Sequence, residues 1–415
     1  MRLVIITKHY PYGQGEVFLE DEIRYAETLF EEIIIVTLDK YCDGNVRYVP
    51  KNANVVAVRK NLNKVCRLFW VMLSLFRKRT IREWRRAIHE HKRNYKPLFL
   101  LKTILLHENA IFYLTKAENI WINLEKETLY YAYWLDAEAT YLIRRKSFLN
   151  GKVVARTHGG DCFYNRGYHP YRKEQLEELD AIFAISEKGR MDILSHYNGN
   201  MKSIENKIFV SRLGLLHLDK YIDNWEPHKT YLIISCSNII PLKRLDILVD
   251  ALELIGTKLK IEWIHFGNGC LSDVIKKRAK EKLSGYPNIS FNFAGYKTKD
   301  YILRYYATHA VDLFVNCSDV EGIPVSAMEA MAFGIPVVAR DVGANSELID
   351  NECGILLSDS AGSQEYYEAI ISLSKFSESQ IRIMRKNAFQ RVRENFSAMQ
   401  NFKAFYELCI QNNYK

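Results

Sequence analysis

Short apolar runs alternate with longer amphipathic stretches through most of the 415-residue chain, and this alternation most constrains its fold. Strands buried on both faces read as continuous apolar runs. The runs at 3–7, 33–38, 129–133, 152–157 and 181–185 therefore predict a parallel sheet with helical crossovers. From 231 the rhythm starts again, with strands at 231–236, 260–266, 289–293, 312–315 and 336–339. Helices are expected from about 244 and over 271–283, 300–308 and 325–333. A chain this long exceeds what one core usually organises, so two doubly wound α/β domains are expected. The polar stretch 221–229, with Pro227, breaks the pattern. It sets an N-terminal domain at 1–222 and a C-terminal domain at 223–395, with 396–415 a terminal helix returning to the N-terminal domain.

The apolar stretch after Met1-Arg2 ends at Lys8, too short for a secretory core, and the basic-flanked run 68–76 is far below the ~20 residues that span a bilayer. A cytoplasmic protein, peripheral on the inner membrane face, is the expectation. Eight cysteines at no metal-ligand spacing read as reduced residues. The formal charge of +9 is uneven: thirteen Lys or Arg between Arg59 and Lys96 face only Glu83 and Glu90. With the run Leu68-Phe69-Trp70-Val71-Met72-Leu73, this has the composition of a helix lying on an anionic membrane. A solvated helix face is the equal alternative. No recognition motif accompanies the charge, so nucleic acid is not an expected partner.

Ligands of open parallel sheets bind beyond the carboxyl ends of the strands. After 312–315 comes Asp319-Val320-Glu321-Gly322-Ile323-Pro324-Val325, opening a helix. Pro324 suits a first helical turn and Gly322 allows close backbone approach, so free N–H groups would meet an anion such as a diphosphate. A carboxylate beside that anion is repelled. Glu321 then faces a sugar ring and Glu329, two turns on, a ribose diol. Two solvated glutamates at a helix end are the plain alternative.

The 21 residues 319–339, with Gly343 and Glu347 following, resemble the signature of family-4 retaining glycosyltransferases. The resemblance implies a GT-B fold, two Rossmann-like domains facing a cleft, and a nucleotide-sugar donor with no metal or other cofactor. Without a metal, protein cations must neutralise the leaving diphosphate. Lys243 matches the family's lysine, whereas the family's arginine falls on Asn238, for which Arg244 or Arg212 would substitute. Donor contacts are thus expected from Asn238, Lys243, Arg244, Gly322, Ile323, Pro324, Val325 and Glu329. Gly267-Asn268-Gly269 also matches and is expected to shape a loop.

The loop 8–18 lacks the third glycine of a dinucleotide site, position 18 being Phe, which disfavours oxidoreductase chemistry. It resembles the family's acceptor loop, with Gly13, Gly15 and Glu16 lining the cleft. Arg156-Thr157-His158-Gly159-Gly160-Asp161 resembles a further family segment, implying that His158 contacts the transferred sugar and Asp161 the acceptor side. Catalytic roles accordingly fall to Glu321, His158 and Lys243. The expected activity is retaining transfer of a hexose-type sugar from UDP or GDP to a glycan or polyprenyl-linked acceptor in capsule, exopolysaccharide or lipopolysaccharide assembly. A front-face route and carboxylate stabilisation by Glu321 stay open. A nucleotide-sugar epimerase of the same architecture and a non-catalytic membrane-surface nucleotide-sugar binding protein are the alternatives.

Overall fold

The computed structural model describes all residues except 14, 40–45, 60–63, 92–93, 217, 219–220, 222 and 412–415, and leaves aside the side chains of 17 and 64–68. The chain divides into two compact units, Met1–Leu213 with Ala398–Lys415, and Gly214–Ser397. The first unit thus closes before the polar linker, which lies within the second.

Among the described residues, the first unit holds seven parallel strands: β1 Arg2–Thr7, β2 Glu32–Thr37, β3 Ala53–Ala57, β4 Thr128–Ala132, β5 Gly151–Thr157, β6 Ala181–Ala184 and β7 Ile208–Val210. They lie in the order β3-β2-β1-β4-β5-β6-β7. Both sheet faces are apolar because both are covered. Val4, Ile6 and Tyr130 pack with Leu114 and Trp121. Leu3, Ile5 and Leu129 pack on the other side with Ile23, Phe405 and Tyr406. The helix Ala398–Ile410 supplies Phe405 and Tyr406, so the chain's last helix completes the first unit's core. Beneath it Arg156 and Glu22 form a wholly buried ion pair at 2.6 Å.

The helix Pro97–Trp121 is long and apolar enough to cross a bilayer, unlike the 68–76 run, and half of that stretch is buried in this unit. Lys102, His107 and Glu108 interrupt its apolar sequence, so it shows no unbroken apolar run. Inside the unit Glu108 is buried and pairs with Arg144 at 2.8 Å. The basic segment forms two helices, Lys64–Leu75 and Lys78–His91. On the first, Trp70 packs inward on Phe112 at 4.9 Å. Phe69, Met72, Leu73 and Phe76, the last 76% exposed, make an outward apolar stripe at helical spacing.

The second unit's six described strands are β8 Tyr231–Cys236, β9 Ile261–Phe266, β10 Ile289–Gly295, β11 Leu313–Asn316, β12 Val337–Arg340 and β13 Gly354–Leu357. Their order is β10-β9-β8-β11-β12-β13. In each sheet the order of strand addition reverses beside the first strand, between β1 and β4 and between β8 and β11. Such a reversal opens a crevice at the strands' carboxyl ends. The six described cysteines are all free thiols; Cys42 and the Cys66 side chain lie outside the described residues.

Candidate functional site

The β8/β11 crevice is where the second unit gathers its polar chemistry. The turn Pro241–Lys243 after β8 brings Lys243 Nζ to Glu321 Oε1 at 2.5 Å, across 78 residues of sequence. Asn316, the last residue of β11, donates Nδ2 to the same oxygen at 3.1 Å. Glu321 is buried and so is Glu329. The latter lies close enough to Cys236, at the end of β8, to raise its thiol together with burial, to about 12. Lys243 and Glu321 are thus paired in this crevice, and the Cys236 thiol at the end of β8 feels both Glu329 and Lys243.

Gly343 fixes the turn that carries Glu321. Its φ is +56°, and a Cβ there would sit 1.9 Å from the Glu321 carbonyl oxygen. Ala344 N donates to the Gly322 carbonyl at 2.9 Å, so the loop after β12 braces the turn from behind. Pro324 caps the helix Val325–Met331 from one residue before its first turn, rather than sitting within that turn. Ile323 is buried, while Gly322 and Val325 are partly exposed. The glycines of 267–269 do shape a loop: a Cβ at Gly267 would meet Ser237 O at 1.9 Å, and one at Gly269 would meet Ile239 O at 2.2 Å. They seat the 237–239 backbone, on which Asn238 is exposed.

Neither expected substitute for the cation at 238 is simple. Arg244 caps its helix in a left-handed conformation and binds Asp246 at 3.1 Å and Asp319 at 3.3 Å, so its charge is already balanced. Arg340, which the sequence reading missed, also holds Asp319, at 2.6 Å. Arg212 belongs to the first unit.

In the first unit the β1/β4 crevice is organised by Glu16. Its carboxylate accepts the backbone N–H groups of Lys8, His9 and Tyr10 at 2.9, 2.8 and 2.6 Å, and the Trp134 indole at 2.6 Å. Four donors fill the roughly four lone-pair directions of a carboxylate, so Glu16 shapes the loop rather than presenting an open acceptor. Gly13, exposed at φ +65°, forms the rim of that loop; Gly15 packs beside His9.

His158 stands after β5, its ring between Tyr133 and Trp134 at 4.4 and 4.6 Å. Burial, aided by Arg156, lowers its pKa to about 3, so the imidazole is neutral. Nε2 faces the Tyr133 carbonyl at 2.9 Å, which assigns the proton there and leaves Nδ1 as an acceptor. Asp161 Oδ1 accepts His158 N and Oδ2 accepts Leu135 N at 2.7 Å, so this carboxyl clamps two loops together. Burial raises it to about 6, against the pull of Arg172.

A partly buried charge network beside these loops had no signal in the sequence. Lys8 Nζ reaches Asp136 at 2.7 Å, and His107 Nδ1 lies 3.1 Å from the other Asp136 oxygen. Next to them Glu138 is fully buried, and neither carboxyl oxygen has a hydrogen-bond partner. Burial, opposed by Lys8, raises Glu138 to about 8 from an ordinary 4.5. Between those pH values the folded protein holds a proton that the unfolded chain has released, so stability falls as pH rises through that window, by at most roughly 1.4 kcal/mol per unit. Glu138→Gln, which copies the neutral carboxyl, is expected to melt higher than wild type at pH 8 and together with it at pH 4.5; equal melting temperatures at pH 8 would refute the assignment.

Residues 230–375 match the family described as glycosyl transferases group 1. The matched segment lies within the second unit, on the β8–β13 sheet whose crevice holds Lys243 and Glu321. The poly(ribitol-phosphate) alpha-N-acetylglucosaminyltransferase of Staphylococcus aureus (strain COL) is 28% identical over 196 residues, 46% of this chain and 36% of that protein. The amylovoran biosynthesis glycosyltransferase AmsK of Erwinia amylovora is 24% identical over 245 residues, 56% of this chain and 58% of that one. The chain thus spans less than two thirds of the length of these relatives. A variant of S. aureus TarM, solved in complex with Fondaparinux, alpha-GlcNAc-glycerol and UDP, shares the fold with a TM-score of 0.65 at 15% identity, over 99% of both chains. The architecture is α/β of the GT-B class.

Proposed function

We propose that the protein is a retaining, metal-independent glycosyltransferase that moves a hexose-type sugar from UDP or GDP to a glycan or polyprenyl-linked acceptor in bacterial surface polysaccharide assembly. The Lys243–Glu321 pair at the β8/β11 crevice, inside the matched 230–375 segment, carries this reading. Both curated relatives are named as glycosyltransferases, and the TarM structure contains UDP.

In this reading Lys243 turns from Glu321 toward the leaving diphosphate and neutralises its growing charge. Asn316 continues to hold Glu321, which faces the sugar, while Glu329 takes the ribose diol. His158, neutral throughout the working pH range, accepts a hydroxyl hydrogen bond through Nδ1. Incubating the protein with a panel of nucleotide sugars and membrane lipid extract tests the proposal by mass spectrometry and product anomer analysis. Product with inverted configuration, free epimerised nucleotide sugar, or binding without turnover would each displace it.

We also propose that this enzyme works on the inner membrane face, docked through the outward stripe Phe69, Met72, Leu73 and Phe76. Arg79 and the other basic residues of the helix Lys78–His91 would meet anionic headgroups. Wild-type protein is expected to sediment with phosphatidylglycerol vesicles at low salt, less with neutral ones, and Phe69→Glu/Phe76→Glu to remain in solution. Equal sedimentation of both proteins would sink the idea.

A further inference from the structure

Three strand ends of the second unit meet at one carboxylate, that of Asp319, two residues before Glu321. Asp319 N donates to the Leu242 carbonyl at 2.8 Å. The loop that carries Lys243 and the turn that carries Glu321 are thus joined main chain to main chain, one residue from the lysine. Asp319 Oδ1 accepts Arg340 Nη1 at 2.6 Å and Arg244 Nη1 at 3.3 Å. Arg340 is the last residue of β12, and Arg244 follows Lys243 directly. From the end of β11, this carboxylate therefore reaches the ends of both β8 and β12.

The two guanidinium groups hold different things. Arg340 is buried; besides Asp319 it donates Nε to the Asp359 carbonyl at 2.9 Å and Nη1 to the Cys317 carbonyl at 3.2 Å. Its rigid fork binds the 317–319 main chain and the Asp319 side chain as one piece. Arg244, its side chain 37% exposed, also reaches Asp246 at 3.1 Å. The Arg244 backbone is left-handed, at φ +44°, a conformation that an L-residue keeps only where its surroundings hold it. From Asp319 the path to Glu321 is short: Ser318 N donates to Asn316 Oδ1 at 2.9 Å, and Asn316 Nδ2 to Glu321 Oε1 at 3.1 Å. Lys243 and Glu321 stand on the two loops so tied. An ion pair between two flexible side chains keeps its place only as well as the backbones beneath it.

We propose that Asp319 is a positioning residue of the donor site: bridged by Arg244 and Arg340, it fixes the spacing between Lys243 and Glu321 and so the aim of both. The inference rests on the reading of the β8/β11 crevice as that site. It assigns Arg244 to the frame rather than to the diphosphate.

Two readouts test it, one of them independent of turnover. In trace acetylation of the full-length protein, followed by mass spectrometry, an amine held on a carboxylate reacts slowly; Lys277, 77% exposed, is the internal standard. Asp319→Asn keeps the side chain's shape and the bond to Leu242, and it should raise Lys243 labelling roughly threefold or more as the pair loosens. Arg244→Ala, which removes the exposed clasp, should raise it less. Sugar transfer by Asp319→Asn should fall roughly tenfold or more through kcat, with donor KM little changed, because misplacement acts on the transition state. In a Lys243→Ala background the same substitution should cost little more, since it acts through the lysine; a general loosening of the fold would multiply the two losses.

Unchanged Lys243 labelling in Asp319→Asn overturns the proposal, and so do multiplicative losses in the double variant. A larger loss of transfer in Arg244→Ala than in Asp319→Asn would make the arginine a donor ligand and overturn it too. If Asp319→Asn does not fold, Arg244→Ala carries the labelling test alone, and no rise in Lys243 labelling refutes the frame. A wild type that transfers no sugar, with the labelling change present, would instead strike the donor reading and leave the frame standing.

Discussion

Lys243→Ala is expected to lower the rate of sugar transfer roughly a hundred- to a thousandfold, the usual cost of removing one group aimed at developing charge. Lys243 and Glu321 are joined at 2.5 Å, so the loss has two parts. On the proposed reading the departing diphosphate loses its cation, and Glu321, buried at the end of its turn, loses its ion-pair partner. Glu321→Gln should fall by a similar factor, because the amide cannot balance Lys243. The two losses should not add: with the pair acting as a unit, the double variant should be close to the worse single one. Single-turnover transfer from a labelled nucleotide sugar measures all three. Strictly multiplicative losses, or full activity in either single variant, would show that the pair is not where the chemistry happens.

The second large effect is expected from a residue with no functional group. Gly343→Ala places a methyl 1.9 Å from the Glu321 carbonyl oxygen and 2.7 Å from its carbon, and it does so at a φ of +56°. Left-handed backbone costs an L-residue about 1–2 kcal/mol, and here the obstruction is main chain, which cannot swing aside. The Glu321 turn must move. Since a displacement of about 1 Å at a reacting centre can cost a hundredfold, transfer should drop at least that far while the fold persists with a lowered melting temperature. Gly285, around which a Cβ meets nothing within 4 Å, is the matched control, and Gly285→Ala should be silent. An active Gly343→Ala enzyme with an unchanged melt would mean that the turn's position is unimportant.

The strands legible in the sequence were those whose two faces are both covered. Val4 and Leu3 point to opposite cores, so the run 3–7 is apolar without alternation. The strands that escaped notice, Ala53–Ala57, Ile208–Val210 and Gly354–Leu357, all lie at sheet edges, where one side has no neighbouring strand. There a strand can be short and half-exposed, and its residues lose their signature. The candidate site follows a similar division. Glu321 and Lys243 were visible because their loops follow readable strands. The role of Asn316 was not, because an asparagine ending a strand has no pattern of its own. Glu16 was visible as a loop residue, but only coordinates reveal that four donors occupy its carboxylate. Glu138 was invisible for a deeper reason: a partnerless buried carboxyl is a property of what surrounds it in space, and Glu138 reads in sequence as one more glutamate at a helix start.

The ion pair of Arg156 with Glu22 also has a consequence for the order of events at the ribosome. Its roof is Tyr406 and Phe405, made about 195 residues after the first unit's last strand ends at Val210. At roughly 5–20 residues per second, that sheet face waits on the order of 10–40 s for its cover while the contiguous second unit is completed. During that interval a nascent chain carries an exposed apolar face with a charge pair in its middle. The earlier half of the polypeptide is thus the later one to finish folding, and the face awaiting Phe405 and Tyr406 is the natural place for a chaperone to hold it.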